Sequence, residues 1–430
     1  MKRLAYSAAL GLGICAAAPW LAARLARGRY RRIAAARLGL GSAWLPPEEA
    51  AGGIWLHALS VGEVASALPL LEALGRRFPE LPLCLSAATA QGLAVARQRL
   101  AGSRVQVFVR PLELPWAVYR LLRRLRPRLF VLVEGDIWPY WNWVLKERGV
   151  PCLLVNDRVS PRTFKGYRRL GPLARELFAG FDRVLAQTEV DHRRLLAVGV
   201  PPEKVAVGGN LKFDSAPDEL DAARREETAR DLGLAGRPVL AAGSTHPGED
   251  EVCLDAFKAL LPAHPDLALL LAPREVSRGG ELLRLARRRG LWAARVSQGR
   301  PPAGTQVVIL DVLGRLARSY ACCRAAFVGG SLVPVGGHNL LEPAVQGVPV
   351  LFGPITHNFL EMARQLEECG GGRRVKDTAS LAAAWREILE QPPVARRMGR
   401  AARDFCREHR GAVQRAVAEA AALLEGGGRA

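Results

Sequence analysis

Gly329-Gly330-Ser331-Leu332-Val333-Pro334-Val335-Gly336-Gly337-His338-Asn339-Leu340-Leu341-Glu342-Pro343 is the densest signal in the chain. The apolar run 325–328 ends in one glycine pair. A second pair releases a His-Asn couple and a carboxylate where a helix should begin. Glycine lets backbone approach a ligand closely, and a helix N-terminus offers unpaired N–H groups to phosphate. A helix starting near Asn339 puts Asn339 and Glu342 on one face. The pattern therefore predicts amides, around Gly336 and Gly337, for a phosphate and a carboxylate for ribose hydroxyls. Its plainer reading is a Gly-rich turn between strand and helix.

Outward from this stretch, short apolar runs alternate with amphipathic ones. Strands are predicted at 53–56, 81–86, 105–109, 129–133, 152–155 and 183–186, and again at 239–242, 267–271, 307–310, 325–328 and 348–352. Helical segments such as 64–78, 116–124, 249–261 and 281–289 separate them, and the stretch 208–217 interrupts the alternation. This is the pattern of an α/β protein with two doubly wound, mostly parallel sheets, carrying its functional loops at the carboxyl ends of the strands. At 430 residues the chain exceeds one ordinary core. The expected division is 1–37 as an anchor with a basic flank, 38–214 as a first Rossmann-like domain and 215–395 as a second. Residues 396–430 form a helical segment crossing back to the first domain.

A formal charge of +20 favours anionic partners such as nucleic acid, a nucleotide or an anionic membrane surface. Part of the arginine excess also fits a simple compositional habit. The eight cysteines show no metal-ligand spacing and suit a reducing compartment. Residues 4–23 carry no charge and match the roughly 20 residues needed to span hydrocarbon. Arginines from Arg24 to Arg37 follow, which predicts an uncleaved anchor with the body on the cytoplasmic side, or a helix that only dips into the surface.

Two constellations carry the chemistry. His57, Ser60, Gly62 and Glu63 lie at a strand-to-helix junction. Ser60 and Glu63 have capping-box spacing, so Glu63 either caps a helix or, half-buried with a raised pKa, serves as a general base. Glu134 and Asp136 follow the strand at 129–133 as a rim that binds sugar hydroxyls or tunes a neighbouring acid, beside Trp138, Tyr140, Trp141 and Trp143, which line a site or pack the interior. In the second half Gly243, Ser244, Thr245 and His246 form a candidate phosphate cradle. Lys212 and Arg274 supply cations, and no Walker lysine loop is present.

Taken together, the order of these stretches resembles the 3-deoxy-D-manno-octulosonic acid (Kdo) transferase family of lipopolysaccharide synthesis. The matching stretches also include Asn156, Arg158 and Ser160, the run from Ala186 to Glu189, and that from Gly208 to Asp214. The resemblance implies a GT-B glycosyltransferase fold, with two Rossmann-like domains facing a central cleft behind an N-terminal membrane-associated helix. It implies CMP-Kdo as donor, a lipid A precursor as acceptor, an inner-membrane location facing the cytoplasm, no nucleic-acid partner and no metal cofactor. It makes Glu63 the base, with His57, Ser60, Gly62, Glu134, Asp136 and Arg158 as acceptor-side support. Lys212, Gly243, Ser244, Thr245, His246, Arg274, Gly336, Gly337, His338, Asn339 and Glu342 become donor contacts. The family usually has glutamate where Asp136 stands, an arm longer by about 1.5 Å, and histidine where Glu275 stands.

Overall fold

The computed structural model describes Tyr6 and residues 31–42, 44–216 and 218–426. It divides into two compact units, Met1–Ser215 with Arg410–Ala430, and Ala216–His409. The second break thus falls between His409 and Arg410, so that the helix Pro392–His409 stays with the second unit.

In the first unit the strands are β1 (Ile54–Ala58), β2 (Leu83–Ala87), β3 (Gln106–Val109), β4 (Leu129–Val133), β5 (Cys152–Asp157), β6 (Arg183–Ala186) and β7 (Val205–Val207). They form one parallel sheet in the order β3-β2-β1-β4-β5-β6-β7. Helices cover both faces, so the central strands are apolar on both sides rather than alternating. In β1, Ile54, Leu56 and Ala58 join a core with Val64, Leu71 and the terminal helix Ala412–Gly426, while Trp55 faces the opposite core. There Trp141 meets Trp55 edge to face at 5.3 Å and is fully buried, as is most of Tyr140. Of the two readings of this aromatic run, interior packing describes Tyr140 and Trp141.

The second unit holds β8 (Val239–Thr245), β9 (Ala268–Pro273), β10 (Ala293–Arg295), β11 (Val307–Ile309), β12 (Ala325–Val328), β13 (Val350–Phe352) and β14 (Gly372–Arg374). These again pair in parallel, in the order β10-β11-β9-β8-β12-β13-β14. Both sheets reverse their winding beside their first strand, between β1 and β4 and between β8 and β12. At such a point the outgoing loops part to opposite faces and leave a crevice at the carboxyl ends. The strands the sequence did not predict, β7, β10 and β14, are three-residue edges.

Apart from Tyr6, the apolar segment 4–23 lies outside the described residues. No helix among those described is long and apolar enough to cross a membrane. The Tyr6 hydroxyl donates to the buried Glu113 carboxylate, and its ring meets Trp143 at 5.5 Å. Arg37 departs from its expected place in a lipid-facing basic flank. Its guanidinium donates to the Arg110 carbonyl at 2.8 Å, so it is turned inward.

Asp214 ties the terminal helix into the first unit. Its two carboxylate oxygens accept from the Gly411 and Val413 amides, each at 2.8 Å, as a side-chain cap from a distant part of the chain. Charged hydrogen bonds of this kind contribute about 1.5–3 kcal/mol. Asp214→Ala should therefore raise hydrogen exchange in residues 412–426 about tenfold or more while sparing the second unit. Unchanged protection there would show that the apolar face alone holds the helix.

Candidate functional site

The first cluster sits where the winding of the first sheet reverses. Ser60 caps the helix Val61–Arg77, accepting from the Glu63 amide at 3.4 Å. The Glu63 carboxylate is held by its own helix start: Leu59 N donates to one oxygen at 2.6 Å and the Ser60 hydroxyl to the other at 3.0 Å. Capping and a poised carboxylate are thus the same geometry. Burial pushes Glu63 up to about 6, helped by the charges of Glu134 and Asp136 and opposed by its hydrogen bonds to Leu59 and Ser60. Gly62 has an ordinary backbone conformation, and a Cβ there would meet nothing within 4 Å, so protein packing does not demand a glycine.

His57 is fully buried on the Trp55 side of β1. Its Nε2 lies 3.2 Å from Asp136 Oδ2, and its Nδ1 lies 2.8 Å from Ser86 Oγ. The acceptor carboxylate favours the proton on Nε2, while Nδ1 also lies 3.1 Å from the Ser86 carbonyl. Burial, with the Arg110 charge behind it, drives His57 down to about 3 and keeps it neutral. Asp136 also accepts from Arg110 Nη2 at 2.5 Å and from Trp138 Nε1 at 2.6 Å. Burial alone would raise this carboxyl, but His57, Arg110 and Trp138 together hold it well below the usual range. Asp136 is therefore no open rim for hydroxyls. Its shorter arm is met by three converging donors.

Glu134 is held differently. It has φ of 62°, and Asn156 beside it has 61°, a left-handed conformation that strains residues other than glycine by about 1–3 kcal/mol. Asn156 Nδ2 donates to Glu134 at 3.1 Å, and its own Oδ1 accepts from Leu211 N at 3.0 Å. Gln187 donates to the Asn156 carbonyl and accepts from Asn210, which caps the short turn bearing Lys212. Burial raises Glu134, against the charges of Lys212 and Arg158 and the hydrogen bond from Asn156. Lys212, expected among the donor contacts, is thus a first-unit residue whose charge acts on Glu134.

In the second unit the Gly-rich stretch folds around Glu249, a buried residue at the start of the helix Glu249–Lys258. One of its oxygens accepts from Ser331 and Leu332 amides, both at 2.9 Å. The other accepts from Gly330 N at 2.7 Å and His246 N at 3.1 Å. A Cβ on Gly329 would stand 2.7 Å from the same carboxylate. Gly336 and Gly337, at φ of 107° and 84°, turn their amides onto the Gly330 carbonyl. The amides expected to cradle phosphate are therefore occupied within the protein. The expected helix starts at Leu341 and has five residues, too short to serve as an anion-binding terminus. Gly243 is likewise a packing residue, since a Cβ there would meet the Tyr320 hydroxyl at 1.9 Å, and Thr245 is fully buried.

Side chains, not amides, converge here. Asn339 Nδ2 donates to Glu342 at 3.3 Å, as the three-residue spacing predicted. Burial raises the Glu342 carboxyl, opposed by Asn339 and by the charge of the exposed Arg274. His246 and His338 have Nε2 atoms 2.8 Å apart, ring centroids 5.1 Å apart and planes within 3°. Stacked rings could not combine those distances. The imidazoles lie edge to edge in one plane, one donating and the other accepting. Burial, then the charges of Arg274 and His246, lowers His338 to about 4. Ser244, between Gly243 and Thr245, is a third strained non-glycine, with φ of 56°. No group of three or more His, Cys, Asp or Glu among the described residues is placed to hold a metal ion.

A family model described as 3-deoxy-D-manno-octulosonic-acid transferase (kdotransferase) matches residues 31–215. The 3-deoxy-D-manno-octulosonic acid transferase of Haemophilus influenzae is 35% identical over 391 residues, covering 90% of each chain. The chain belongs to this transferase family. The Bordetella pertussis member is 37% identical, covering 93% of each chain. The UDP-GlcNAc 2-epimerase of Neisseria meningitidis superposes with a TM-score of 0.57 over 87% of this chain and all of its own. At 13% identity it speaks for the two-domain GT-B-like fold alone.

Within this Kdo transferase, sequence reasoning missed Arg110 and Glu249 as organisers of the two clusters. Arg110 had a visible signal, a cation directly after a strand and before Pro111. Glu249 looked like an ordinary acid in a first helical turn, and only the fold brings the Gly330 loop to it. Glu249→Gln leaves one acceptor where four amides converge and turns an amide group toward N–H donors. Each unsatisfied buried donor costs about 1–3 kcal/mol. The variant should melt lower and bind CMP at least tenfold more weakly by calorimetry. Wild-type melting and affinity would show that the loop holds without this carboxylate.

Proposed function

We propose that the chain transfers Kdo from CMP-Kdo to a hydroxyl of a lipid A precursor with inversion at the anomeric carbon, and that Glu63 is the base. The observation that carries the reading is Glu63 itself, a carboxylate whose proton affinity burial raises and which two hydrogen bonds fix at the switch point of the first sheet. Both hydrogen bonds leave an acceptor lone pair available to a substrate hydroxyl. The vacant volume over Gly62 leaves room for that hydroxyl beside it. Glu134, held by Asn156 and faced by the charges of Lys212 and Arg158, supports the acceptor side.

CMP is a phosphate monoester and leaves as a stable anion, so its departure needs charge neutralisation more than a strong acid. With the Gly330, Gly336 and Gly337 amides occupied, that task falls to Arg274, the Ser244 hydroxyl and the His246–His338 pair. Asn339 and Glu342 form a hydrogen-bonded couple suited to sugar or ribose hydroxyls. Glu63 takes the acceptor proton as the oxygen attacks an oxocarbenium-like centre opposite the leaving phosphate. Arg274 supplies the positive charge, and the Ser244 hydroxyl and an imidazole N–H supply hydrogen bonds, so the neutralisation calls for no resident metal. Transfer of labelled Kdo to a tetraacylated lipid A precursor, resolved by mass, should proceed in the presence of a chelator. Because the base must be ionised, kcat/KM should rise with pH through about 6 and then level off. Glu63→Gln should lose about 100-fold or more in kcat while keeping its fold and its CMP affinity. Undiminished transfer by this variant would refute the assignment.

We further propose an anionic membrane face on the first unit, in keeping with an acceptor whose acyl chains stay in lipid and with a cytoplasmic-side location at the inner membrane. The helix Pro161–Leu170 buries no residue and carries Arg162, Lys165, Arg168 and Arg169. Leu170 and Leu173 follow, 46% and 65% exposed. Basic side chains near anionic lipid contribute about 1 kcal/mol each, and exposed leucines enter the headgroup boundary. Arg168→Glu with Arg169→Glu should cut sedimentation with anionic vesicles several-fold, and added salt should cut that of the parent. Equal binding to neutral vesicles would remove this face from consideration.

A further inference from the structure

Arg110 is 3% exposed, yet it follows β3 at the same carboxyl end of the sheet as the candidate base. Its Nη2 reaches Asp136, which follows β4, so one ion pair joins loops on either side of β1 and β2. Asp136 in turn holds His57 through Nε2, and His57 lies in β1, the strand that leads into Ser60 and Glu63. Arg37 donates to the Arg110 carbonyl, which fixes the backbone that carries the guanidinium. Glu113, three residues on, is itself held by Tyr6 and by the Trp141 amide at 3.0 Å.

We propose that Arg110 is a positioning residue for transfer: its buried guanidinium pins Asp136 and offsets the carboxylates around Glu63, so that Glu63 can ionise. The proposal rests on the reading of Glu63 as the base. The charged groups facing this centre are Asp136, Glu113, Glu63 and Arg37, with neutral His57 between. Glu63 is faced in addition by Glu134, itself countered by Lys212 and Arg158. Carboxylates thus outnumber cations next to Glu63. A buried cation among them favours the ionised base, while its removal leaves Asp136 countered by Arg37 alone as it acts on Glu63.

The test substitutes Arg110 in the full chain and follows the Glu63 carboxyl directly by carbon-13 NMR, beside the pH dependence of kcat/KM. Arg110→Gln keeps a hydrogen bond to Asp136 but removes the charge. It should move the Glu63 midpoint and the acid limb upward together by about one pH unit. Arg110→Lys, which keeps the charge, should leave both near their parent positions. Replacing both partners of a buried ion pair is tolerated better than breaking it. Arg110→Met combined with Asp136→Asn therefore provides a folded variant should the glutamine variant fail to fold. It should return the midpoint to the parent value while lowering the kcat plateau, because His57 loses its carboxylate. An unmoved midpoint in Arg110→Gln, or a double variant whose midpoint stays raised, would overturn the proposal. Failure of the base reading looks different: Glu63→Gln would transfer normally, while the NMR midpoint still reports whether Arg110 governs Glu63.

Discussion

A carboxylate removed from water must find donors or give up its charge, and both halves of this molecule are arranged around one that found them. Asp136 collects an imidazole, a guanidinium and an indole; Glu249 collects four backbone amides. Leaving either unpaired would cost several kcal/mol, so the surrounding loops have little freedom to adopt other shapes. Neighbouring carboxylates are held less completely. Glu63, Glu134 and Glu342 keep raised proton affinities because burial outweighs the few donors they have. Rigid, fully paired acids thus stand beside partly paired ones, and the second kind is suited to exchange protons or hydroxyl contacts with a substrate.

Local strain follows the same distribution. Among the described residues four non-glycines have positive φ, and three of them, Glu134, Asn156 and Ser244, lie at the carboxyl ends of β4, β5 and β8. Their cost is offset by the sheets behind them, whose central strands are buried on both faces. Family membership explains why the arrangement fits sugar transfer, and the shared architecture with an epimerase shows how little the fold itself decides. Such chemistries are distinguished by the side chains a fold carries, not by its sheets.

The sheet architecture was legible because long central strands are continuous apolar runs. The unpredicted β7, β10 and β14 are three-residue edges that pair on one side only, too short to show a period. The candidate site was legible where a contact depends on sequence-local spacing: Ser60 with Glu63, and Asn339 with Glu342. It was illegible where the partner arrives from another strand, as Arg110 does for Asp136 and Glu249 does for Gly330. The glycines misled for a related reason. Glycine marks close approach of something to the backbone, and here that something is Tyr320, Glu249 and the loop's own carbonyl rather than a ligand.

The return of residues 410–426 to the first unit has a consequence for how the protein is made. The first sheet is complete in sequence by Val207, but its core remains open on the side that Val413, Ala416 and Ala420 cover. The second unit ends at His409, before those residues have been synthesised. The order in sequence is therefore inverted: every residue of the later unit is made before those that cover the apolar surface around Leu71 and Leu211 in the earlier one. The first unit thus depends on residues 410–426 to finish it, and its core can close only after the whole of the second unit has been synthesised.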